Sequence, residues 1–303
     1  MHLRTQYNRN LKILQLDGGG LLAIMYLSVL SALEKALGKK CHDIFNIIMG
    51  TSTGGIVGSL LSSGMSAQDI LNLYLENADR IFKKRALGFA SPLTWIYGSR
   101  YDRAYLDSLL QRHLDFPMSD CKCTLIITGV CMDDIRHTHF FKSYKPKYRG
   151  VPVYLIVQVT ASAPTYFGYM TDTQGLLGRK DAKWTDGGVG VFNCTLSKAE
   201  IEAKNYQNAG DNYWILSCGC GYVCKSRSPS SFLINQITDF IGIAREQAVW
   251  EQIKEATERR VNFSRIDDEI SSEHYQMDDV SSISYWLEQG RIWAQKFLPQ
   301  IIE

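Results

Sequence analysis

The sequence predicts a three-layer α/β fold, with a mostly parallel central sheet, helices on both faces and a helical C-terminal cover. Short, mainly apolar segments, Leu11–Leu16 and Ile44–Met49, alternate with longer segments of helical periodicity. Strands that are apolar on both faces are typical of parallel sheets covered by helices. The 303 residues are 45% hydrophobic and 21% charged, a composition typical of a globular protein that is large enough to bury a core.

The apolar pattern assigns the elements in order along the chain. Leu22, Met25, Tyr26 and Val29 recur at helical spacing, and Gly38 suits a helix C-terminus. Strands are predicted at 11–16, 44–49, 123–129, 153–159 and 213–217, and helices at about 21–37, 54–63, from the capping-box-like Ser66 to Asp69, 102–113, from 230, and 280–297. No repeat or low-complexity linker is visible. We therefore predict one domain over residues 11–303, after a tail at 1–10, with a helical C-terminal region at about 230–303.

Charge and termini limit the classes of function. A net charge of +2 and a pI near 8.0 give no overall field that would favour nucleic acid, so no nucleic-acid partner is predicted. The first ten residues are polar, and Lys12 and Gln15 interrupt the apolar stretch that follows, so no signal peptide is predicted. We also find no stretch with the roughly 18 apolar residues of a membrane span.

The eight cysteines do not indicate a metal site. Cys121 and Cys123 are separated by one residue, as are Cys218 and Cys220, and zinc ligands need a wider gap. Alternating cysteines in apolar runs are more typical of strand residues that behave as small hydrophobes. We predict reduced thiols, no bound metal and no cofactor.

The segment Gly50-Thr51-Ser52-Thr53-Gly54 matches Gly-x-Ser-x-Gly between a predicted strand and a predicted helix. Such a turn exposes a serine hydroxyl on a strained backbone, and its glycines remove side chains that would clash with the strand and the helix. A serine becomes a useful nucleophile only when a base removes its proton. The segment therefore predicts a nucleophile elbow at Ser52.

A second glycine motif, Asp17-Gly18-Gly19-Gly20, follows the first predicted strand. It is not a dinucleotide loop, because Ala23 fills the last glycine position of G-x-G-x-x-G, and no phosphate-binding lysine follows. Two interpretations stay open at this point. The backbone N–H groups form an oxyanion hole, or the glycines form a turn that serves packing alone.

No histidine is an obvious general base. An α/β-hydrolase carries its histidine late in the chain, and only His274 is late enough. His274 lies in a polar segment that is typical of a solvated loop, while His137 and His139 suit a surface or a substrate-facing edge. A third glycine motif, Asp186-Gly187-Gly188, supplies a carboxylate, although Asp186 alone would be interpreted as a turn residue.

The three motifs, in this order and at these distances, resemble the patatin-like phospholipase family, in a bacterial-type, single-domain form. The similarity extends over roughly residues 11–290. Further matching segments are Tyr101-Asp102, Ala161–Phe167, Ser217–Gly221 and Arg265-Ile266.

The resemblance implies a catalytic dyad, with Ser52 as nucleophile and Asp186 as base. It also implies an oxyanion hole formed by Gly18, Gly19 and Gly20. A carboxylate is a weak base for a serine proton, but it can serve where water is excluded and preorganised donors stabilise the oxyanion. The remaining motif residues are Gly50, Thr51, Thr53, Gly54, Gly187 and Gly188.

Two positions depart from the family pattern. Members usually carry a basic residue and then a glycine after the Gly triplet, where this chain has Leu21-Leu22-Ala23. The segment after Asp186-Gly187-Gly188 ends in Asn193-Cys194 in place of an Asn-Pro-like pair. We expect Asn193 to be structural.

A basic and aromatic segment suits the boundary of an anionic bilayer. The membrane-facing residues predicted there are Phe82, Lys83, Lys84, Arg85 and Trp95. The alternative is that the aromatic residues belong to the core and the cations form a solvated rim.

The predicted activity is a carboxylic-ester hydrolase of the phospholipase A or lysophospholipase type, acting at a phospholipid surface through an acyl-enzyme. The alternatives are a general esterase or acyltransferase, a membrane-degrading effector activated by a ligand or protein partner, and a silent lipid-binding module. The predicted localisation is cytoplasmic and peripheral to the membrane when active, with export by a route without a signal peptide as an alternative.

Overall fold

The computed structural model describes residues 11–83, 99–206, 212–224 and 233–302, with the backbone alone for 233–241. Its strands are β1 (Leu11–Leu16), β2 (Ile47–Gly50), β3 (Thr124–Cys131), β4 (Asp134–Lys142), β5 (Met170–Asp172), β6 (Ala182–Asp186), β7 (Tyr213–Cys218) and β8 (Phe263–Ile266). Its helices are α1 (Ala23–Leu37), α2 (Cys41–Ile44), α3 (Thr53–Ser63), α4 (Ala67–Ile81), α5 (Arg103–Leu114), α6 (Val153–Thr160), α7 (Leu196–Tyr206), α8 (Leu233–Glu258) and α9 (Ile283–Ile302).

One sheet contains the described strands, in the order β5-β6-β3-β2-β1-β7-β8, with β4 paired to β3. The four pairings β3–β2, β2–β1, β1–β7 and β7–β8 are parallel. Strands β4 and β6 run antiparallel to β3, and β5 runs antiparallel to β6. Strand β1 is the middle one of the five strands joined by parallel pairings, and it ends at the first glycine motif. The sheet is therefore mostly parallel at its centre, with an antiparallel extension at one side.

Successive residues of β1 bury opposite faces of the sheet. Leu14 and Leu16 belong to a large core that includes apolar side chains of α1, α3, α4, α5, α6 and α9. Leu11 and Ile13 belong to a second core with residues of α7 and α8. Burial on both faces explains why four of the six residues of this strand are leucine or isoleucine. The predicted three-layer α/β fold is confirmed.

The segment at 153–159 was predicted as a strand, and this prediction is wrong. It forms helix α6, in which Val153, Ile156, Val157 and Thr160 are buried at the spacing of one helical face. A short run of β-branched residues does not distinguish a buried strand from a buried helix, and packing against neighbouring elements decides between them.

Other boundaries also differ from the predictions. Ile44 ends the short helix α2, so β2 begins later than predicted. The sequence pattern did not predict the strands β4, β5, β6 and β8 or the helix α7. The C-terminal region covers the sheet with α8 and α9, but it also contributes the edge strand β8.

Within the described residues, Gly20–Leu37 is long and apolar enough to cross a membrane. The expectation that no such stretch exists is therefore wrong by length and composition. Most of this window (61%) is buried inside the fold, and α9 packs along α1. The segment is the core helix of the structure, which passes the same compositional test as a membrane span.

A buried ion-pair network joins β1, β7 and β8 behind the first glycine motif. Arg265 donates to Asp17 and to Asp267, each at 2.7 Å, and to the Ser217 hydroxyl at 2.7 Å. Gln15 donates to the other oxygen of Asp17 at 2.8 Å. The carboxylate of Asp17 is thus used to hold the end of β1, where the glycines begin.

Candidate active site

Ser52 lies between the end of β2 at Gly50 and the start of α3 at Thr53. Its φ of 55° and ψ of −128° place a non-glycine residue in the left-handed half of the φ range, which stores backbone strain. The Thr160 hydroxyl accepts a hydrogen bond from the Ser52 N–H at 2.8 Å and helps to hold this conformation. Ser52 is only partly buried, so its hydroxyl is presented on a constrained turn.

Two glycines allow the surrounding backbone to approach this turn. A Cβ on Gly18 would lie 2.7 Å from the Ser52 Cβ, and a Cβ on Gly54 would lie 2.8 Å from the Asp17 carbonyl oxygen. Both distances are shorter than any van der Waals contact allows. The elbow and the first glycine motif are therefore packed directly against each other.

The position of Asp186 relative to Ser52 follows from the register of β3. Gly50 at the end of β2 pairs with Ile127, and Asp186 at the end of β6 pairs with Gly129. Since β4 occupies the opposite edge of β3 over both positions, β2 and β6 share one edge. The two strand ends are therefore only two residues apart along β3, roughly 7 Å. The ends of β2 and β6, which are more than a hundred residues apart in sequence, thereby meet at one edge of β3.

Asp186 is buried, with 4% of its surface exposed. Burial raises its pKa to about 6, although the Ser52 hydroxyl, the Gly188 N–H and the charge of Arg245 all act to lower it. The Gly188 N–H donates to Oδ1 at 2.8 Å, and the Asp186 N–H donates to the Ser162 carbonyl at 3.1 Å. The result is a fixed carboxylate beside the serine that is basic enough to take up a proton near neutral pH.

The first glycine motif presents unpaired backbone donors to this pair. Among the described residues, the N–H groups of Gly18, Gly19 and Gly20 donate to no protein acceptor. The Leu21 N–H, by contrast, donates to the Met277 carbonyl at 2.8 Å, and the Asn193 side chain donates to the Gly18 carbonyl at 3.1 Å. The loop is therefore held from both sides while its N–H groups stay available for an anion.

An apolar pocket opens beside Ser52. It is lined almost entirely by hydrophobic side chains, as ligand-binding pockets commonly are. Helices α3, α4 and α5 form its walls, with the 161–167 segment and Met277. The pocket can accommodate a hydrocarbon chain whose ester end lies at Ser52. Its lining residues are Gly20, Leu21, Ser52, Thr53, Ile56, Leu60, Leu73, Tyr74, Ile81, Phe82, Leu106, Leu109, Leu110, His113, Ala161, Ala163, Tyr166, Phe167 and Met277.

The remaining motif residues connect the elbow with the segment after Asp186 and with the pocket wall. Thr51 donates to the Phe192 carbonyl at 2.7 Å and accepts from Thr128 at 2.8 Å, which ties the elbow to the segment after Asp186. Thr53 exchanges a hydrogen bond with Tyr74 at the pocket wall. Gly187 packs against the Thr128 side chain.

The predicted membrane-facing residues fall in different places. Phe82 is partly buried and lines the pocket, and its ring packs on Tyr101 at 5.3 Å between centroids. Lys83 is exposed. Lys84, Arg85 and Trp95 lie outside the described residues, so their contact with a membrane stays a prediction.

The structure gives His274 other partners. Its Nδ1 shares a hydrogen bond with Ser282 at 2.8 Å, and its ring stacks on Tyr285 at 4.1 Å. His137 is exposed on β4, whereas His139 is partly buried with its ring edge-on to Trp184. The pocket lining includes none of these three.

Sequence reasoning missed three residues at the site. Thr160 holds the elbow, Met277 caps the glycine loop and Arg245 acts electrostatically on Asp186. Thr160 directly precedes the recognised 161–167 segment, which was a usable signal. Met277 and Arg245 follow no motif and reach the site only through the packing of the C-terminal region. Among the described residues, no cluster of three His, Cys, Asp or Glu side chains could hold a metal ion.

A model of the patatin-like phospholipase family matches residues 14–196. Patatin-like protein 2 of Oryza sativa subsp. indica is 29% identical over 206 residues, which are 61% of this chain and 51% of that protein. The cGAMP-activated phospholipase of Vibrio cholerae is 28% identical over 211 residues, 63% of this chain and 56% of that protein. The chain thus spans about half the length of the curated relatives it matches.

Among solved structures, VipD from Legionella pneumophila is similar to this chain with a TM-score of 0.41 and 11% sequence identity. The match covers 95% of this chain and 67% of VipD.

Proposed function

Because this chain belongs to the patatin-like phospholipase family, we propose that it is a serine hydrolase of lipid esters that cleaves fatty-acyl esters of phospholipids or lysophospholipids. One observation carries the proposal. Ser52 and the buried Asp186 meet at an apolar pocket, beside backbone N–H groups that have no acceptor among the described residues. A nucleophile, a base, an anion site and a hydrocarbon site are what acyl transfer from a lipid ester requires.

In the proposed acylation step, the Ser52 hydroxyl attacks the ester carbonyl carbon while Asp186 takes the proton. The carbonyl oxygen becomes an oxyanion, and the N–H groups of Gly18, Gly19 and Gly20 stabilise it. When the tetrahedral intermediate collapses, the bond to the glycerol oxygen breaks and Asp186 returns the proton to that oxygen. The products are a fatty-acyl ester of Ser52 and the free lipid alcohol.

Deacylation repeats these roles with water as the nucleophile. Asp186 removes a proton from the water as it attacks the acyl carbonyl, and the same N–H groups stabilise the second oxyanion. Collapse breaks the bond to the Ser52 oxygen, which regains its proton from Asp186. A free fatty acid leaves, and no metal ion is needed in this scheme.

We propose further that the substrate is drawn from a membrane surface, with the protein cytoplasmic and peripheral to that membrane. Activation by a ligand or a protein partner is part of the proposal, because a relative is named a cGAMP-activated phospholipase. Phe82 in the pocket lining and the exposed Lys83 next to it in sequence support access from a lipid surface.

A covalent probe and a substrate panel test the proposed activity. We expect a fluorophosphonate to label wild type at Ser52, identified by peptide mass spectrometry, and to leave Ser52→Ala unlabelled. Ser63→Ala is the matched control, because Ser63 lies on the same helix α3 but does not line the pocket. Fatty acid should be released from phospholipid or lysophospholipid vesicles by wild type and Ser63→Ala alone. Labelling of Ser52→Ala, or release from triglyceride emulsions only, would contradict the proposal.

The dependence of activity on pH should report the ionisation of Asp186. The base must be deprotonated, and burial raises its pKa to about 6. For a soluble ester, kcat/KM is therefore expected to rise with a logarithmic slope of about one up to roughly pH 6 and then level off. Initial rates in buffers of constant ionic strength measure this profile. A midpoint near the ordinary value for aspartate would argue against a buried carboxylate as the base.

A further inference from the structure

Arg245 on α8 is a cation that reaches the active site from the C-terminal region. Its Nη1 lies 3.9 Å from the sulfur of Met277, and Met277 lines the pocket and accepts the Leu21 N–H. The charge of Arg245 also acts on Asp186, where it opposes the raising effect of burial on the pKa. The guanidinium is therefore close to the glycine loop and to the base, although it takes part in neither motif.

Apart from the carboxylate of Asp186, the groups that act on this guanidinium are neutral tyrosine and cysteine side chains. It hydrogen bonds the Tyr275 hydroxyl and lies near Cys220 and Tyr166. Glu246, the next residue on α8, hydrogen bonds the same Tyr275 hydroxyl. Within the part of the chain that the structure describes, no carboxylate forms an ion pair with Arg245, whereas Arg100, Arg103 and Arg265 each have one.

A partly buried cation without a counter-ion is unfavourable, so an anion bound next to it is stabilised. The planar guanidinium can donate two parallel hydrogen bonds to a phosphate, the geometry for which arginine is preferred. In a glycerophospholipid the phosphate lies only a few covalent bonds from the ester that would be cleaved. Arg245 contacts Met277 in the lining of the same pocket, so the phosphate of a lipid whose ester carbonyl lies at Ser52 can reach this cation.

We propose that Arg245 binds the headgroup phosphate of a phospholipid or lysophospholipid while Ser52 attacks the adjacent ester. This inference rests on the proposed function and adds the part of the site that selects phosphorylated lipids over neutral ones. Arg245 does not stabilise the oxyanion in this proposal, because Met277 lies between the guanidinium and the glycine loop. The backbone N–H groups of that loop take this role.

A pair of substrates with the same acyl chain tests this role. For Arg245→Gln we expect kcat/KM on lysophosphatidylcholine to fall about ten- to a hundredfold, the range for a lost hydrogen bond to a charged group. The loss should be mainly in KM. Both substrates are measured at about pH 8, well above the pKa of Asp186, so that loss of the charge does not change the ionisation of the base. On the monoacylglycerol with the same chain, kcat/KM should fall far less than on lysophosphatidylcholine, because that substrate has no phosphate.

Two variants control for folding and for charge. Lys254→Gln removes an exposed cation from the same helix and should leave both substrates unaffected. Arg245→Lys keeps the charge and should recover part of the preference for the phosphorylated substrate. In a Ser52→Ala background, Arg245→Gln should weaken the binding of lysophosphatidylcholine and leave that of the monoacylglycerol unchanged, which is a measurement independent of turnover.

The outcomes separate this inference from the proposed function. Equal losses on both substrates at about pH 8, where Asp186 is ionised with or without the arginine, would mean that Arg245 acts through the fold or the chemical step alone, and the inference would be overturned. An unchanged rate on lysophosphatidylcholine would overturn it as well, while hydrolysis by wild type would leave the proposed function standing. If wild type hydrolyses neither substrate, the proposed function fails and this inference fails with it.

Discussion

Replacing Asp186 by asparagine is expected to lower kcat for ester hydrolysis by as much as about ten-thousandfold, the upper range for loss of a general base. Asparagine keeps the size of the side chain, and its oxygen can still accept the Gly188 N–H. It cannot take the proton of Ser52 in acylation or that of water in deacylation. Both chemical steps should therefore be slowed together.

The same change should stabilise the fold. The pKa of Asp186 is raised to about 6 from 3.8, so the charged carboxylate destabilises the folded state above pH 6, and this effect vanishes as the pH falls below the unfolded value. The difference corresponds to about 3 kcal/mol at neutral pH, which sets an upper limit on the gain for Asp186→Asn. Urea unfolding at neutral pH, repeated near pH 4, measures the gain and its expected loss in acid.

Control variants show whether a loss of kcat in Asp186→Asn is specific to this carboxylate. Ser52→Ala should be at least as inactive, and the double variant should lose little more, because residues that act as a unit are not additive. Asp172→Asn replaces another buried aspartate, one that does not line the pocket, and it should leave kcat within a few-fold of wild type. An Asp186→Asn protein that retains kcat would contradict the role of the residue as base. One that is less stable than wild type would contradict the destabilising effect of the buried charge.

Replacing Arg265 by alanine is expected to lower the free energy of unfolding by roughly 3–5 kcal/mol, the cost of leaving buried charges without their partner. The change removes the cation between Asp17 and Asp267, whose side chains are 3% and 10% exposed. It also removes the donor to Ser217 that links β8 to β7. Since typical domains are stable by only 5–15 kcal/mol, a large part of the total would be lost.

Chemical unfolding with a matched surface variant tests this expectation. Arg291→Ala removes an exposed arginine paired with Glu288 and should cost less than about 1 kcal/mol. The loss in Arg265→Ala should be smaller in mild acid, where the carboxylate of Asp267, whose pKa is raised by burial, can be protonated. A loss below about 1 kcal/mol at neutral pH would show that the network does not hold the end of β1.

Local chemistry made much of the chain predictable. The predicted bounds of β1 agree with the structure, α3 begins one residue earlier than predicted, and α5 begins and ends one residue later than predicted. The predicted cap at Ser66 is present, with its hydroxyl accepting the Asp69 N–H at 3.1 Å. These features depend on neighbouring residues, so a pattern within a short window carries the information.

Long-range packing decided what short windows could not. The helix α6 has the composition of a strand, and its helical form depends on contacts with α3, α5 and β3. Asp186 was assigned only by family resemblance, because nothing around it distinguishes it from a turn residue. Arg245 had no signal at all, since its relevance depends on how α8 lies beside Met277.

By itself, the sequence determined the fold class, the elbow at Ser52 and the glycine loop, because each depends on hydrophobic periodicity or on glycines at fixed local positions. Only the tertiary structure decided how these parts meet. The register of β3 brings Asp186 beside Ser52, burial raises the pKa of that carboxyl, and the C-terminal region adds Met277 and Arg245. The physical reason is that proximity and burial are properties of the packed chain, which residues far apart in sequence create together.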